Sequence, residues 1–261
     1  MRCWGLAPDG AAFETPFGSR LAPVRYGDSR AMLKIAGGPE ERDGAAVMVW
    51  WGGDGAAPVL AHEAEALLLV RASDDGGLAN LVRSGRDDQA TAVLCAVADR
   101  LHAPRRKPIP PTVRPLDAWF RALWPAAERE GGLIGRAAST ARGLLDAPRD
   151  IAVLHGDLHH GNVLDFGPAG WLAIDPKGLI GERGYDFANL FCNPWPEADD
   201  PDRLERRLDQ VASASDLDRH RLRQWILAYA GLSAAWTLES GMPSDGPWRA
   251  LRIAEMAAAG L

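Results

Sequence analysis

Along this chain the spacing of apolar positions changes from strand-like to helical. In the first quarter, short apolar runs at 21–26, 31–35, 58–61 and 66–71 stand between turn signals such as Asp9-Gly10 and Gly27-Asp28. Runs of that length, bounded by Gly, Asp and Pro, predict strands, and residues 1–35 read as a meander. A-L-L-L-V-R-A, ending at Ala72, is nearly continuous in apolar character, as a central strand covered on both faces requires. One helix interrupts this region. P-E-E-R-D-G-A-A-V-M-V-W-W places Pro39 at an early helical position and acids in the first turn. After the turn-rich S-D-D-G-G-L the helical period takes over and predicts helices over 87–102, 115–130, 133–146, 202–212, 219–239 and 248–259.

The helical region is broken at 151–176, where apolar runs at 151–154, 163–164 and 171–174 alternate with polar clusters. That pattern predicts short buried strands whose loops carry chemistry. The first loop offers His155, Asp157, His159, His160 and Asn162, and the second offers Asp175. Two carboxylates and an amide are oxygen donors suited to a hard cation such as Mg²⁺ that also holds phosphates. Asp157 stands two residues after His155 and five before Asn162, an interval that suits phosphoryl transfer. There one Asp accepts the proton of an attacking hydroxyl while an Asn and a second Asp hold metal. The same residue types could also form only turns and caps. A metal-dependent hydrolase using the His/Asp cluster is a remote alternative, and it gives Asn162 and Lys34 no role.

Composition narrows the classes. A chain of 261 residues with 47% hydrophobic content can bury one large core or two modest lobes. A net charge of −6 argues against general nucleic-acid binding, which favours a basic face. The three cysteines, Cys3, Cys95 and Cys192, are widely spaced and form no C-x-x-C pair, so a reducing, cytoplasmic setting is expected. No apolar run reaches 18 residues, so no membrane span is expected, and the first ten residues lack the apolar region of a signal peptide. The basic A-P-R-R-K-P-I-P-P connection reads as a solvated loop, and His102 as a residue capping its helix.

Lys34 lies inside the apolar strand A-M-L-K-I-A. It either points outward from an exposed face or, buried, meets an anion. H-G-D-L-H-H-G-N-V-L followed by W-L-A-I-D-P resembles the phosphotransferase-enzyme family of aminoglycoside kinases, relatives of protein kinases. The likeness is nearest to the aminoglycoside/hydroxyurea resistance kinases of streptomycin 6-kinase type. S-R-A-M-L-K-I-A, W-W-G-G-D-G-A-A-P-V-L, G-L-I-G-E-R-G-Y-D-F-A-N-L-F-C-N-P and G-L-S-A-A-W extend it over nearly all of the chain.

The resemblance implies an α+β, two-lobed kinase-like fold. Residues 1–72 would form a mainly antiparallel β lobe with one helix, and 73–261 a mostly helical lobe. It implies ATP and Mg²⁺ as cofactors, with Lys34 on the α/β-phosphates and Glu41 as its ion-pair partner in preference to Glu40. Backbone groups from Val70 to Ala72 would meet the adenine. The loop 15–20 lies where a phosphate-covering flap would be; it has Gly18 and Ser19 but not a G-x-G-x-x-G run, and Ser19 is its candidate nucleotide contact. Asp157 would be the base, Asn162 and Asp175 the metal ligands, and His155 and Asp186 supports of the catalytic loop. The substrate implied is a small cationic aminoglycoside, by preference streptomycin at its 6-hydroxyl, with hydroxyurea or another small hydroxylated metabolite as alternative. Carboxylates available to guanidinium groups are Asp186, Glu197, Asp199, Asp200, Glu239 and Asp245. The expected state is a monomer without nucleic-acid or membrane partners; a kinase-like binding module without catalysis is disfavoured because no polar catalytic group is missing.

Overall fold

The computed structural model describes residues 4–15, 18–73, 77–240 and 248–261. Its first lobe is a six-stranded antiparallel sheet of β1 (Ala7–Pro8), β2 (Phe13–Glu14), β3 (Arg20–Tyr26), β4 (Ser29–Ile35), β5 (Val59–Glu63) and β6 (Ala66–Val70). Its order is β1-β3-β4-β6-β5, with β2 also on β3. Tyr26 pairs with Ser29 across the two-residue turn Gly27-Asp28, so the turn signal sets the register of the β3–β4 hairpin. The period of two then sorts the faces. Ala31 and Leu33 join Val24 and Leu68 in a small core on one side. Met32 and Lys34 therefore face the other side, toward α1 (Pro39–Trp51).

The second lobe holds α2 (Leu78–Arg83), α3 (Asp87–His102), β7 (Arg114–Pro115), α4 (Leu116–Trp119), α5 (Leu123–Glu130) and α6 (Gly132–Asp146). It continues with β8 (Ile151–Leu154), β9 (Val163–Asp165), β10 (Trp171–Ala173) and β11 (Leu179–Glu182), then α7 (Gly184–Ala188), α8 (Pro201–Ala214), α9 (Arg219–Ser240) and α10 (Trp248–Ala259). β9 and β10 form a hairpin, and β11 runs antiparallel to β8 and parallel to β7. α9 lies at the centre, buried along most of its length, as its nearly all-round apolar surface predicts. Around it Phe120, Tyr185, Trp225 and Tyr229 form a ring cluster with centroids 5.7–6.3 Å apart. Glu182 is buried beneath this cluster. It is compensated by Arg221, by Trp225 Nε1 at 2.7 Å and by the Arg149 amide at 2.9 Å.

The two lobes share a core. Met48, Trp50 and Trp51 of α1 belong to the same apolar cluster as Leu94, Leu101 and Leu154. Backbone bonds also cross between lobes: the Ala57 amide donates to the Ala173 carbonyl, and the Ala173 amide to the Gly55 carbonyl, each at 2.9 Å.

Three expectations change. The segment 179–182, where Gly178 and Gly181 predict a tight loop, is a strand. Gly181 is needed because a Cβ there would lie 2.6 Å from Leu116 Cβ. The helix expected over 115–130 is interrupted by a 3₁₀ turn at Phe120–Ala122. Pro125 has no N–H to return to the carbonyl four residues earlier. Arg105 in the basic connection is not solvated: its guanidinium donates to the carbonyls of Leu101, Ala103, Asp54 and Arg100 at 2.8–3.0 Å and lies over the Trp50 ring.

Candidate functional site

A cavity of about 380 Å³ lies between the sheet and the β9–β10 hairpin. Apolar side chains line its interior, among them Met32, Leu67, Leu69, Leu164, Phe166 and Ile174. Lys34, Glu41, Asn162 and Asp175 gather on its wall. Residues 34 and 175 thus meet across the lobes. Lys34 Nζ forms an ion pair with Asp175 Oδ1 and lies 3.3 Å from Glu41 Oε1. Glu40, the rival acid, is instead near Arg114 at 3.7 Å. Val70, Arg71, Ala72 and Ser73 line the far end of the cavity. The amides of Val70, Arg71 and Ser73 donate to Pro58, Arg30 and Asp165 carbonyls, whereas no protein partner for the Ala72 amide is found among the described residues.

Ser19 differs from expectation. It is fully buried, its hydroxyl donates to the Glu41 carboxylate, and its amide donates to Thr15 Oγ1 at 3.1 Å. It braces the partner of Lys34. Residues 16 and 17 of the expected flap lie outside the described residues.

Asp175 ends the apolar run with φ of +63°, a left-handed conformation that an Asp tolerates better than most residues but that still costs about 1–3 kcal/mol. The strained turn swings its carboxylate into the cavity. Burial works against its charge, but Lys177 and then Lys34 hold its carboxyl below the usual carboxylate range.

The loop after β8 is built on His155. This ring is fully buried: Nε2 donates to the Ile174 carbonyl at 2.8 Å, and Nδ1 accepts the Asp157 amide at 3.2 Å. Both bonds need the neutral ring, and burial holds its pKa below the ordinary imidazole value. Asp186 on α7 accepts the amides of His155 and Gly156 at 2.7 Å each and His102 Nε2 at 2.8 Å. His102 is therefore no helix cap; it reaches across to fix the loop's brace. The Asp186 side chain has no exposed surface, which removes it from the carboxylates that could meet a substrate.

Asp157 accepts Asn162 Nδ2 at 3.1 Å on Oδ2 and Asn189 Nδ2 at 2.8 Å on Oδ1. Asn193 donates to Asn189 Oδ1 at 3.0 Å, which sets the amide orientation. Asn162 also donates to the Asp157 carbonyl at 2.8 Å, so its Nδ2 faces the loop and its Oδ1 is turned away from Asp157. Lys177 Nζ lies 3.5 Å from Asp157 Oδ2 and 3.6 Å from Asp175 Oδ2. Sequence reasoning missed both Lys177 and Asn189. Lys177 follows Asp175-Pro176 directly, and Asn189 lies three residues after Asp186, on the same side of the helical stretch.

Three of the other candidate carboxylates have partners of their own. Glu197 pairs with Arg83 at 3.3 Å, Asp199 with Arg252 at 2.8 Å, and Asp200 caps α8 through the Arg203 amide at 3.1 Å. Glu239 lines a separate groove with Arg129 and Glu130. Asp245 lies outside the described residues. The hydrolase alternative loses its ligand set: both His155 nitrogens are engaged, His160 Nε2 faces Arg207, and no three His, Cys, Asp or Glu side chains are grouped to hold an ion among the described residues.

Solved structures share this architecture. A thermostable mutant of an aminoglycoside phosphotransferase, solved in a ternary complex with ADP and hygromycin B, superposes with a TM-score of 0.67 at 15% identity, covering 99% of this chain and 96% of that one. The fold is the two-lobed, protein-kinase-like fold. The sequence matches the family model described as aminoglycoside/hydroxyurea antibiotic resistance kinase over residues 3–241, and the chain belongs to that family. It is 50% identical to a streptomycin 3''-kinase of Klebsiella pneumoniae over 92% of each chain. It is 33% identical to a streptomycin 6-kinase of Streptomyces griseus over 94% of this chain and 82% of that one. No helix among the described residues is long and apolar enough to cross a membrane.

Proposed function

We propose that this chain transfers the γ-phosphoryl group of ATP to a hydroxyl of streptomycin. The observation that carries the reading is the meeting of Lys34 with Asp175 and Glu41 on the wall of one cavity, beside Asn162. Four residues spread over 141 positions of sequence converge where a triphosphate would lie. The apolar interior suits an adenine ring, and the Ala72 amide, with no protein partner among the described residues, is a ready donor to a ring nitrogen. Lys34, held by Glu41, suits the α/β-phosphates.

Asp175 and Asn162 Oδ1 form a two-oxygen donor set of the kind Mg²⁺ uses when phosphates and water complete its shell. When bound there, the ion would neutralise charge on the phosphates. The protein's own work is to position. Asn162 and Asn189 clamp the two oxygens of Asp157 from opposite sides, so the carboxylate is aimed before any substrate arrives. Asp157 takes the proton of the acceptor hydroxyl, and His155, locked neutral, holds the loop without serving as base.

The higher identity to a 3''-kinase than to a 6-kinase favours the 3''-hydroxyl over the 6-hydroxyl that the motifs suggest. The family description supports hydroxyurea as the second acceptor to test. Purified protein given ATP, Mg²⁺ and streptomycin should yield ADP and a monophosphorylated product whose ³¹P–¹H correlations place the phosphate at C3''. Phosphate at C6 would overturn the regiochemistry. ADP release with hydroxyurea but not with streptomycin would overturn the substrate.

A further inference from the structure

Lys177 is a cation to which the reading above gives no task. We propose that it binds a non-bridging oxygen of the γ-phosphoryl group during transfer and is thus a catalytic residue of the reaction proposed above, on which this assignment rests. Its place comes first. A phosphoryl group passing from the Asp175 side to an acceptor held at Asp157 must cross the gap between those carboxylates. The Lys177 ammonium stands within 3.6 Å of both.

Charge is the second argument. The transferring group spreads negative charge over three equatorial oxygens. It would move between two carboxylates, and an unneutralised path there is repulsive. Lys34 is engaged by Glu41 and Asp175. His155 and His159 are held neutral by burial. Lys177 is the lysine that reaches Asp157, and its ammonium stands between the Asp157 and Asp175 carboxylates.

The third argument is pre-organisation. The Lys177 amide donates to the His155 carbonyl at 2.7 Å, and its carbonyl accepts from Arg114. Its stem crosses Gly156, where a Cβ would lie 3.0 Å from Lys177 Cβ. Gly156 has φ of +81°, so both its conformation and the passage of the lysine call for glycine. The lysine is thereby registered against the loop that carries the base.

In the step itself the bond from the γ-phosphorus to the bridging oxygen breaks, and its electron pair stays with ADP. A bond from the acceptor oxygen to phosphorus forms, and the acceptor proton passes to Asp157. Lys177 keeps its own protons throughout.

The test compares wild type, Lys177→Met and Lys177→Arg with streptomycin and either ATP or its γ-thio analogue. Replacing a non-bridging oxygen by sulfur weakens a contact made to that oxygen, so the ATP-to-thio-ATP rate ratio reads the contact. Lys177→Met should lower kcat about 100-fold, the scale set by removing one charge-stabilising donor, with both KM values within about threefold. Its thio ratio should shrink about fivefold or more, and Lys177→Arg should recover about tenfold in kcat. A kcat within about fivefold of wild type overturns the assignment. So does a fall in kcat with an unchanged thio ratio, which would mean that the lysine only holds the two carboxylates. If Lys177→Met shows no cooperative melt, Lys177→Gln takes its place under the same criteria. A wild type that releases no ADP with any acceptor ends the kinase reading and this assignment together; an active wild type with an indifferent variant ends this assignment alone.

Discussion

Gly44, in the middle of α1, faces the carbonyl oxygen of Pro176 so closely that a Cβ on Gly44 would fall 1.9 Å from that oxygen. Glycine inside a helix costs about 0.5–1 kcal/mol relative to alanine, so its presence here answers a need for contact. The helix that carries Glu41 rests directly on the loop that carries Asp175. In an ordinary exposed helix Gly44→Ala would stabilise. Here it should lower stability by about 2 kcal/mol, the scale of an overpacked core, and reduce kcat about tenfold by parting Glu41 and Lys34 from Asp175. Thermal melts and steady-state rates check both; a higher Tm with full activity would show that helix and loop are not in contact.

Lys34 and Glu41 act as one unit, with Ser19 behind them. Lys34→Ala should raise the KM for ATP and lower kcat. Glu41→Gln should do the same more weakly, because Asp175 still holds the lysine. The double variant should be little worse than Lys34→Ala alone, since partners in one ion pair do not add. A double variant equal to the product of the two single effects would place them in separate roles.

Asp157→Ala should lower kcat by about 10³-fold, within the range for loss of a positioned general base. ADP affinity by calorimetry should stay within about threefold, because Asp157 is not among the residues lining the cavity proposed for the nucleotide. Asn189→Ala removes one of the two clamps and should cost less, about tenfold in kcat. Full turnover by Asp157→Ala would remove the base from the mechanism.

Asp186 is a fully buried carboxylate holding two backbone amides and His102. Asp186→Asn turns an acceptor into a partial donor against these groups. It should destabilise by about 3 kcal/mol, as breaking a buried charged network does. The readout is the urea midpoint at constant m-value, and an unchanged midpoint would contradict the network.

Stability should fall in mild acid. Burial, with Arg207 beside it, pushes the pKa of His160 down to about 2. The unfolded chain takes up this proton near pH 6.5 while the folded chain does not, so the folded state has its full advantage above pH 6.5. It loses up to about 1.4 kcal/mol per pH unit below that. His155 and His159 are shifted the same way. The Tm should drop between pH 7 and pH 5, and His160→Gln should flatten that slope; a slope unchanged by the substitution would assign the acid sensitivity elsewhere.

Most of the fold and the centre of the site were legible from local signals. The apolar strand around Lys34 left two orientations open, and the anion-facing one is observed; the intervals from His155 to Asn162 and on to Asp175 are short enough to read as loops between strands. The choice of Glu41 over Glu40 came from the family resemblance, and Glu41 is the acid that meets Lys34. What stayed hidden depends on contacts between distant segments. His102 looked like a helix end because nothing near it in sequence reveals Asp186, 84 positions away. Asp199 and Asp200 looked available because Arg252 and the Arg203 amide cannot be assigned as their partners from composition. β11 looked like a loop because Gly181 makes room for Leu116 and forms no turn, while the left-handed Gly178 stands just before the strand.

The paired amide bonds linking Gly55 and Ala57 to Ala173 stitch the two halves of the molecule beside the cleft, and α1 shares its apolar cluster with the helices below. Halves tied together at that edge cannot part there without breaking both bonds, so any widening of the cleft has to come at its opposite rim.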